Sequence, residues 1–171
     1  MNNKTKTLII LGFWLVLALF FVAINEKVFL TGDEIRLKVK PVDPRDLLRG
    51  QYVALNYDIS EIQVKKSSDF KRDETVYVTL IKEDKEGEIY AAQSVYKFKP
   101  SKNPYIKGKI DFIRYNFRNN KDYNTLVIDY GIENLFTKEQ EAKDIEKRLS
   151  DGGIAVIKLD KSGKAKILRV E

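Results

Sequence analysis

An unbroken apolar segment near the N-terminus constrains the fold of this chain more than any other sequence feature. Residues 8–24 carry no charge and no strongly hydrogen-bonding side chain, and the uncharged stretch extends from Thr7 to Asn25. These 19 residues, as a helix rising 1.5 Å per residue, measure about 28 Å, close to the roughly 30 Å hydrocarbon core of a bilayer. Large apolar side chains face every direction of such a helix, which is untypical of an amphipathic soluble helix. The segment therefore predicts a single membrane-spanning helix.

The residues at the two ends of the segment predict whether it is cleaved and how it is oriented in the membrane. A cleaved signal peptide has small residues at positions −3 and −1, whereas here Ala23 is small but Phe21, two residues earlier, is not. We therefore expect an uncleaved anchor, with a cleaved signal peptide as the alternative. Two lysines and no acidic residue precede the span, so the positive-inside rule keeps that end in the cytoplasm. We expect residues 1–26 to form the cytoplasmic N-terminus and anchor, and residues 27–171 to form a domain in the periplasm or at the cell exterior.

The missing residue types narrow the chemistry that this chain can perform. It has no Cys and no His, so thiol nucleophiles, disulfides, Ser-His-Asp triads and Cys/His metal sites are unavailable. We expect neither a cofactor nor a metal. The net charge of +6 would suggest nucleic-acid binding inside a cell. Outside the cytoplasm nucleic acid is not an expected partner, whereas an anionic lipid surface is an open alternative to a membrane or envelope protein.

Alternating apolar and polar residues predict that the rest of the chain is mostly strand. Ile35, Leu37 and Val39, for example, alternate with charged residues, the period-2 pattern of a half-buried strand. Similar segments separated by turn sequences predict about eight strands, within residues 28–40, 51–59, 75–81, 89–98, 106–117, 124–136, 154–159 and 165–170.

One soluble helix is predicted in the C-terminal half. Thr137 is a suitable N-cap, an apolar stripe of Ala142, Ile145 and Leu149 follows, and the glycines at 152–153 end the helix. The predicted fold class is therefore mainly β, an antiparallel barrel or small sandwich of about eight strands, with one helix in the C-terminal half and one N-terminal transmembrane helix.

A rigid polar turn leads directly into one of the predicted strands. Pro41 and Pro44 bias the residues before them toward extended backbone, and Gly50 can adopt a positive φ just before the strand. In that strand, alternation places Leu55 and Tyr57 on the core side.

Residues 41–57 resemble the signature of the bacterial GDYXXLXY proteins, which are named for a Gly-Asp-Tyr-x-x-Leu-x-Tyr element. That element corresponds here to Gly50, Gln51, Tyr52, Leu55 and Tyr57, after Pro-Val-Asp-Pro-Arg-Asp at 41–46. Residues 130–136, Tyr-Gly-Ile-Glu-Asn-Leu-Phe, followed by an acidic helix start, resemble a second stretch of the family. The resemblance covers most of residues 30–170. It implies a membrane-anchored protein without an established biochemical activity, whose relatives tend to be encoded beside multi-pass membrane proteins.

We call the polar turn and the start of the strand after it the polar corner, and its polar side is the candidate interaction surface. Its residues are Asp43, Arg45, Asp46, Arg49, Gln51 and Tyr52, together with Glu133 from the second segment. Arginine offers a planar fork to a carboxylate or phosphate, although the same charges can instead lock the corner internally. Gln51 stands where the family signature has an acidic residue, which argues against a catalytic role for the motif. We expect the surface to bind another envelope component, most readily an integral membrane protein.

Two other classes of function stay open beside this non-enzymatic binding module. One is an envelope hydrolase that uses carboxylates or a Ser-Lys dyad. The carboxylates of Asp129 and Glu133, on one continuous strand, would lie about 13 Å apart at ~3.3 Å per residue, which is wide for a catalytic pair. We expect them to form a solvated or ion-paired face. The other class is a barrel that binds a small molecule or lipid, which requires an apolar interior cavity.

Overall fold

The fold begins with a long N-terminal helix. The computed structural model describes residues 3–41, 52–65, 68–83, 88–116 and 122–171. Helix α1 spans Asn3–Thr31, and its segment Lys4–Ala23 has a mean hydropathy of 2.4. Among the residues described, this is the one helix that is long and apolar enough to cross a membrane, a property that signal sequences share.

Helix α1 continues into the β domain with a single residue, Gly32, between them. The first strand, β1, spans Asp33–Val39. The Gly32 N–H donates to the carbonyl of Val28 at 3.0 Å, and Val28 is buried. A Cβ on Gly32 would lie 2.5 Å from that carbonyl oxygen and 3.2 Å from the backbone of Leu159. Only glycine therefore allows the end of the helix to approach the domain this closely.

Ten strands and one further helix follow in the described part of the chain. After β1 they are β2 Tyr52–Ala54, β3 Glu61–Lys65, β4 Thr75–Lys82, β5 Ile89–Tyr96, β6 Tyr105–Arg114, β7 Tyr123–Asp129, β8 Asn134–Phe136, α2 Glu139–Arg148, β9 Gly153–Leu159 and β10 Ala165–Val170. Eight strands form one curled sheet, a half-barrel, in the order β10-β9-β1-β5-β4-β6-β7-β3. Strands β2 and β8 form a separate two-stranded sheet.

The large sheet is bulged at three places, and one of its pairings is parallel. Register shifts occur between Thr79 and Leu80 and in the β6–β7 and β9–β10 pairs. Bulges of this kind bend a strand and increase its twist, which favours a curled sheet. Strands β1 and β5 run parallel, so the prediction of a fully antiparallel sheet is wrong at this pair. Three other strands separate β1 from β5 in the chain, and no tight turn forces them to be antiparallel.

A single hydrophobic core joins the half-barrel, the small sheet and α2. Alternate residues of β1 supply Ile35, Leu37 and Val39, as the sequence pattern predicts. Helix α2 adds Ala142 and Ile145. The other core residues are Val53, Leu55, Tyr57, Ile59, Val76, Val78, Leu80, Ile106, Ile110, Leu126, Ile128, Tyr130, Ile132, Leu149, Ala155, Ile157 and Leu159.

The predicted fold class is confirmed as mainly β with a helix in the C-terminal half and an apolar N-terminal helix. The large sheet has eight strands, in agreement with the prediction of about eight. In detail, residues 61–65 form the additional strand β3, and the strand predicted over 124–136 is divided into β7 and β8. Helix α2 begins at Glu139 with Lys138 in the cap position. Thr137, the predicted cap, instead donates its hydroxyl to the carboxylate of Glu141.

Two buried tyrosines connect the small sheet to the rest of the core. The Tyr57 hydroxyl donates to the carbonyl of Ile132 at 2.7 Å, and the Tyr130 hydroxyl donates to the carbonyl of Ile59 at 2.6 Å. We call these four residues the tyrosine clasp. Because each hydroxyl bonds the backbone close to the other tyrosine, the clasp ties residues 57–59 to residues 130–132.

We expect Tyr57→Phe to lower the free energy of unfolding by about 1–3 kcal/mol, because the buried carbonyl of Ile132 then loses its donor. Urea denaturation of the full-length protein in detergent measures the change. Tyr96→Phe is the matched control, since Tyr96 is 47% exposed. An equal effect of the two substitutions would contradict a stabilising role for the clasp.

Candidate functional site

A sharp turn between β7 and β8 builds the candidate site. Strand β7 ends at Asp129 and β8 begins at Asn134. Between them Gly131 has a φ of +76°, in the left-handed region that glycine adopts readily. The Gly131 N–H donates to Oδ1 of Asp129 at 2.7 Å, the Asx-turn bond typical of aspartate at a turn. The chain therefore reverses here instead of continuing as one strand.

The turn brings the carboxyl groups of Asp129 and Glu133 into hydrogen-bonding contact. The expectation that they lie about 13 Å apart is wrong, because it assumed a continuous strand. Oε1 of Glu133 also accepts the N–H of Tyr130 at 2.7 Å, and the Glu133 backbone carbonyl accepts the N–H of Leu55 at 2.7 Å. Glu133 is thus bound through both its side chain and its backbone.

Burial and the neighbouring carboxylate determine where the proton of this pair resides. The pKa of Glu133 is raised to about 7, chiefly by burial and then by its hydrogen bond with Asp129. The pKa of Asp129 is lowered, first by the same hydrogen bond and also by the Gly131 N–H and the charge of Lys109. Glu133 therefore holds the shared proton and Asp129 stays ionised. Such a pair can release or accept one proton near neutral pH.

The clasp tyrosines lie within the electrostatic influence of this pair. Burial raises the pKa of Tyr57 and of Tyr130, and the negative charge that Glu133 carries once it has lost its proton raises both further. Both phenols therefore remain protonated hydrogen-bond donors. The tyrosine clasp and the carboxyl pair form one connected polar cluster next to the hydrophobic core.

The two segments that resemble the family pair directly with each other. Strand β2, which begins at Tyr52, is antiparallel to β8, with Tyr52 opposite Phe136 and Val53 opposite Leu135. Leu55 is buried, as predicted from its alternation. The signature residues from Tyr52 onward therefore have a structural role, in strand pairing and in the core.

Most of the predicted interaction surface lies outside the described residues. This applies to Asp43, Arg45, Asp46, Arg49 and Gln51. Tyr52 is the first residue of β2, and Glu133 lies in the turn directly before β8, the partner strand of β2.

The chain is described on both sides of the segment 42–51. The Lys40 N–H donates to the carbonyl of Asn56 at 2.7 Å, and Val39 forms a bridge with Tyr57. The residues on the two sides of this segment are therefore hydrogen-bonded to each other.

Sequence reasoning missed two features around the turn. The first is the contact between the two carboxyls, which Gly131 could have signalled, since glycine in a strand pattern often marks a break. The second is a cleft of about 410 Å³ that Asp129 and Tyr130 line together with Lys107, Lys109, Lys164 and Lys166. These lysines come from distant parts of the sequence, so no local pattern signals them. Within the described ranges, no group of three or more Asp or Glu side chains could hold a metal ion.

By its fold, the chain is a β-domain protein with an N-terminal apolar helix of membrane-spanning length that leads directly into a curled sheet. A family model described as GDYXXLXY protein matches residues 14–170. The chain belongs to this family. No match is found among curated proteins or among solved structures.

We expect Glu133→Gln to stabilise the protein at about pH 8 and to have little effect at about pH 5. The pKa of Glu133 in the fold, about 7, lies above its ordinary value of 4.5, so stability decreases as the pH rises between these values. Glutamine keeps the oxygen that accepts the Tyr130 N–H and carries no charge. One pKa unit corresponds to about 1.4 kcal/mol, and partial exposure of Glu133 reduces the gain to roughly 1–2 kcal/mol.

Urea denaturation at the two pH values measures this difference. Asp144→Asn is the matched control, because it removes one carboxylate from an exposed position of α2. A gain from Glu133→Gln that is equal at both pH values, or a loss at both, would contradict the shared-proton arrangement.

Proposed function

We propose that this protein is a single-pass, membrane-anchored binding module whose β domain lies outside the cytoplasmic membrane and docks on another envelope protein, most simply a multi-pass membrane protein. The apolar window Lys4–Ala23 supports the anchor. Lys4 and Lys6, which precede the uncharged stretch of this window, support the orientation.

The direct join between α1 and β1 is the observation that carries this proposal. Gly32 alone separates the helix from the first strand, and Val28 in the last turns of the helix is buried. An anchored domain of this build stays at the membrane surface, because it has no linker with which to reach further. Its partner must then present a surface close to the same membrane.

The docking surface of this proposal is the polar corner around Asp43, Arg45, Asp46, Arg49 and Tyr52. Two observations support this location. The chain on either side of residues 42–51 is held together by the bond from Lys40 to Asn56. The small sheet that follows is next to the tyrosine clasp, which ties residues 57–59 to residues 130–132. Arginine side chains can bind carboxylates of a partner bidentately.

An envelope hydrolase is the second candidate function. The contact between Asp129 and Glu133 favours it, because a protonated carboxyl beside an ionised one can act as general acid and base. In a strain that lacks the gene, loss of complementation by Glu133→Gln with unchanged partner capture would favour the hydrolase. Retention of both complementation and partner capture by Glu133→Gln would favour the binding module.

We expect cysteine labelling to place the β domain outside the cytoplasmic membrane. The chain has no Cys, so Ser101→Cys in an exposed loop and Thr5→Cys, just before the uncharged stretch that begins at Thr7, each introduce a unique thiol. On spheroplasts, a membrane-impermeant maleimide should label the cysteine at position 101 at once and the one at position 5 only after lysis. The reverse pattern would contradict the proposed orientation.

We expect the double substitution Arg45→Ala and Arg49→Ala to reduce partner recovery from crosslinked, gently solubilised membranes. Hydrogen bonds to charged groups contribute about 1.5–3 kcal/mol each, so recovery should decrease roughly tenfold or more. Arg72→Ala combined with Arg148→Ala is the matched control, because it removes two exposed arginines elsewhere. Equal recovery with all three proteins would contradict this docking surface.

A further inference from the structure

A lysine-lined cleft opens beside the C-terminal end of α1. Its volume is about 410 Å³, within the range of roughly 300–1,000 Å³ typical of sites for small ligands. Four separate parts of the β domain contribute to it, namely Thr75 of β4, residues 107–109 of β6, residues 129–131 at the turn, and residues 164–166 around the start of β10. Val28 of α1 completes the lining on the helix side.

The charge of the cleft is strongly positive. Its lining includes four lysines and one carboxylate, that of Asp129. Asp129 is already engaged by Glu133 and by the Gly131 N–H, and Lys109 is paired with Asp73 at 2.8 Å.

The other three lysines are available to a ligand. In the described part of the chain, no carboxylate oxygen lies within 4.0 Å of the amines of Lys107, Lys164 or Lys166. Lys107 and Lys164 are exposed. The amine of Lys166 lies 4.5 Å from the ring centroid of Phe29, a cation–π contact that holds it against the helix.

The position of the cleft along α1 matches the headgroup layer of a bilayer. The apolar window ends at Ala23, and Val28 follows five residues later, about 7–8 Å along the helix axis. The polar layer on each side of the hydrocarbon core is about 5–8 Å thick, from the difference between roughly 40–45 Å and roughly 30 Å. With α1 in the membrane, the lysines therefore lie level with lipid phosphates.

We propose that this cleft binds the phosphate of an anionic phospholipid headgroup, with the amines of Lys107, Lys164 and Lys166 as its donors. The proposal rests on the anchoring of α1 under the proposed function. Val28 and Phe29 lie on the side from which the lipid enters, next to its glycerol and acyl chains. Bound in this way, a lipid fixes the β domain against the bilayer and sets the orientation in which it meets a partner.

The test measures binding of dihexanoyl phosphatidylglycerol to the full-length protein in detergent by native mass spectrometry. Dihexanoyl phosphatidylcholine and inorganic phosphate are the comparison ligands. We expect preferential binding of phosphatidylglycerol. Each lysine near an anionic headgroup contributes about 1 kcal/mol, so the double substitution Lys164→Gln and Lys166→Gln should weaken binding roughly ten- to thirtyfold. Lys107→Gln is a second, independent variant that should weaken binding in the same direction.

Lys102→Gln combined with Lys147→Gln is the matched control, because both lysines are exposed and lie outside the cleft. An equal loss with this control would show a general charge effect and overturn the proposal. Equal binding of phosphatidylcholine, or binding of inorganic phosphate as tight as that of phosphatidylglycerol, would also overturn it. Because the lipid-binding measurement is performed in detergent, it tests the cleft independently of the labelling experiment that tests the orientation of the domain.

Discussion

The tyrosine clasp is the interaction on which the arrangement of this domain depends. A turn that leaves a sheet exposes backbone carbonyls without strand partners, and a buried phenol needs an acceptor. Here the phenols supply donors for such carbonyls, because the Tyr57 hydroxyl donates to the carbonyl of Ile132 and the Tyr130 hydroxyl donates to the carbonyl of Ile59. The clasp joins residues 57–59, at the end of the signature segment, to the turn after β7, and β2 pairs with β8 next to that junction.

The same junction explains why a proton is shared beside the core. Because the turn is held against the core, Glu133 is partly buried, and burial disfavours its ionised form. Contact with Asp129 lets one carboxyl keep the proton while the other keeps the charge. Glu133 serves two parts of the structure at once, since its backbone carbonyl also holds Leu55 of the signature. A structural role and a proton-exchanging role are therefore compatible in one residue.

The two proposed contact faces include segments that lie before and after β1 in the chain. The lysine-lined cleft lies next to the last turns of α1. Strand β1 then carries the chain about 20 Å away from Gly32 before residues 42–51 begin, at ~3.3 Å per residue. Under our proposals, one face contacts lipid and the other contacts protein. The short join at Gly32 makes these contacts interdependent, because a domain without a linker cannot reorient freely above the membrane.

The sequence by itself determined the elements whose patterns are local. The apolar run predicts α1, period-2 alternation predicts the buried faces of β1 and of the signature strand, and the absence of Cys and His excludes whole classes of chemistry. Only the tertiary structure decided the parallel pairing of β1 with β5, the contact of Asp129 with Glu133 and the convergence of the cleft lysines. These features join residues through the curled sheet or through one left-handed glycine, and the chemical type of a residue does not reveal which distant residue it will meet.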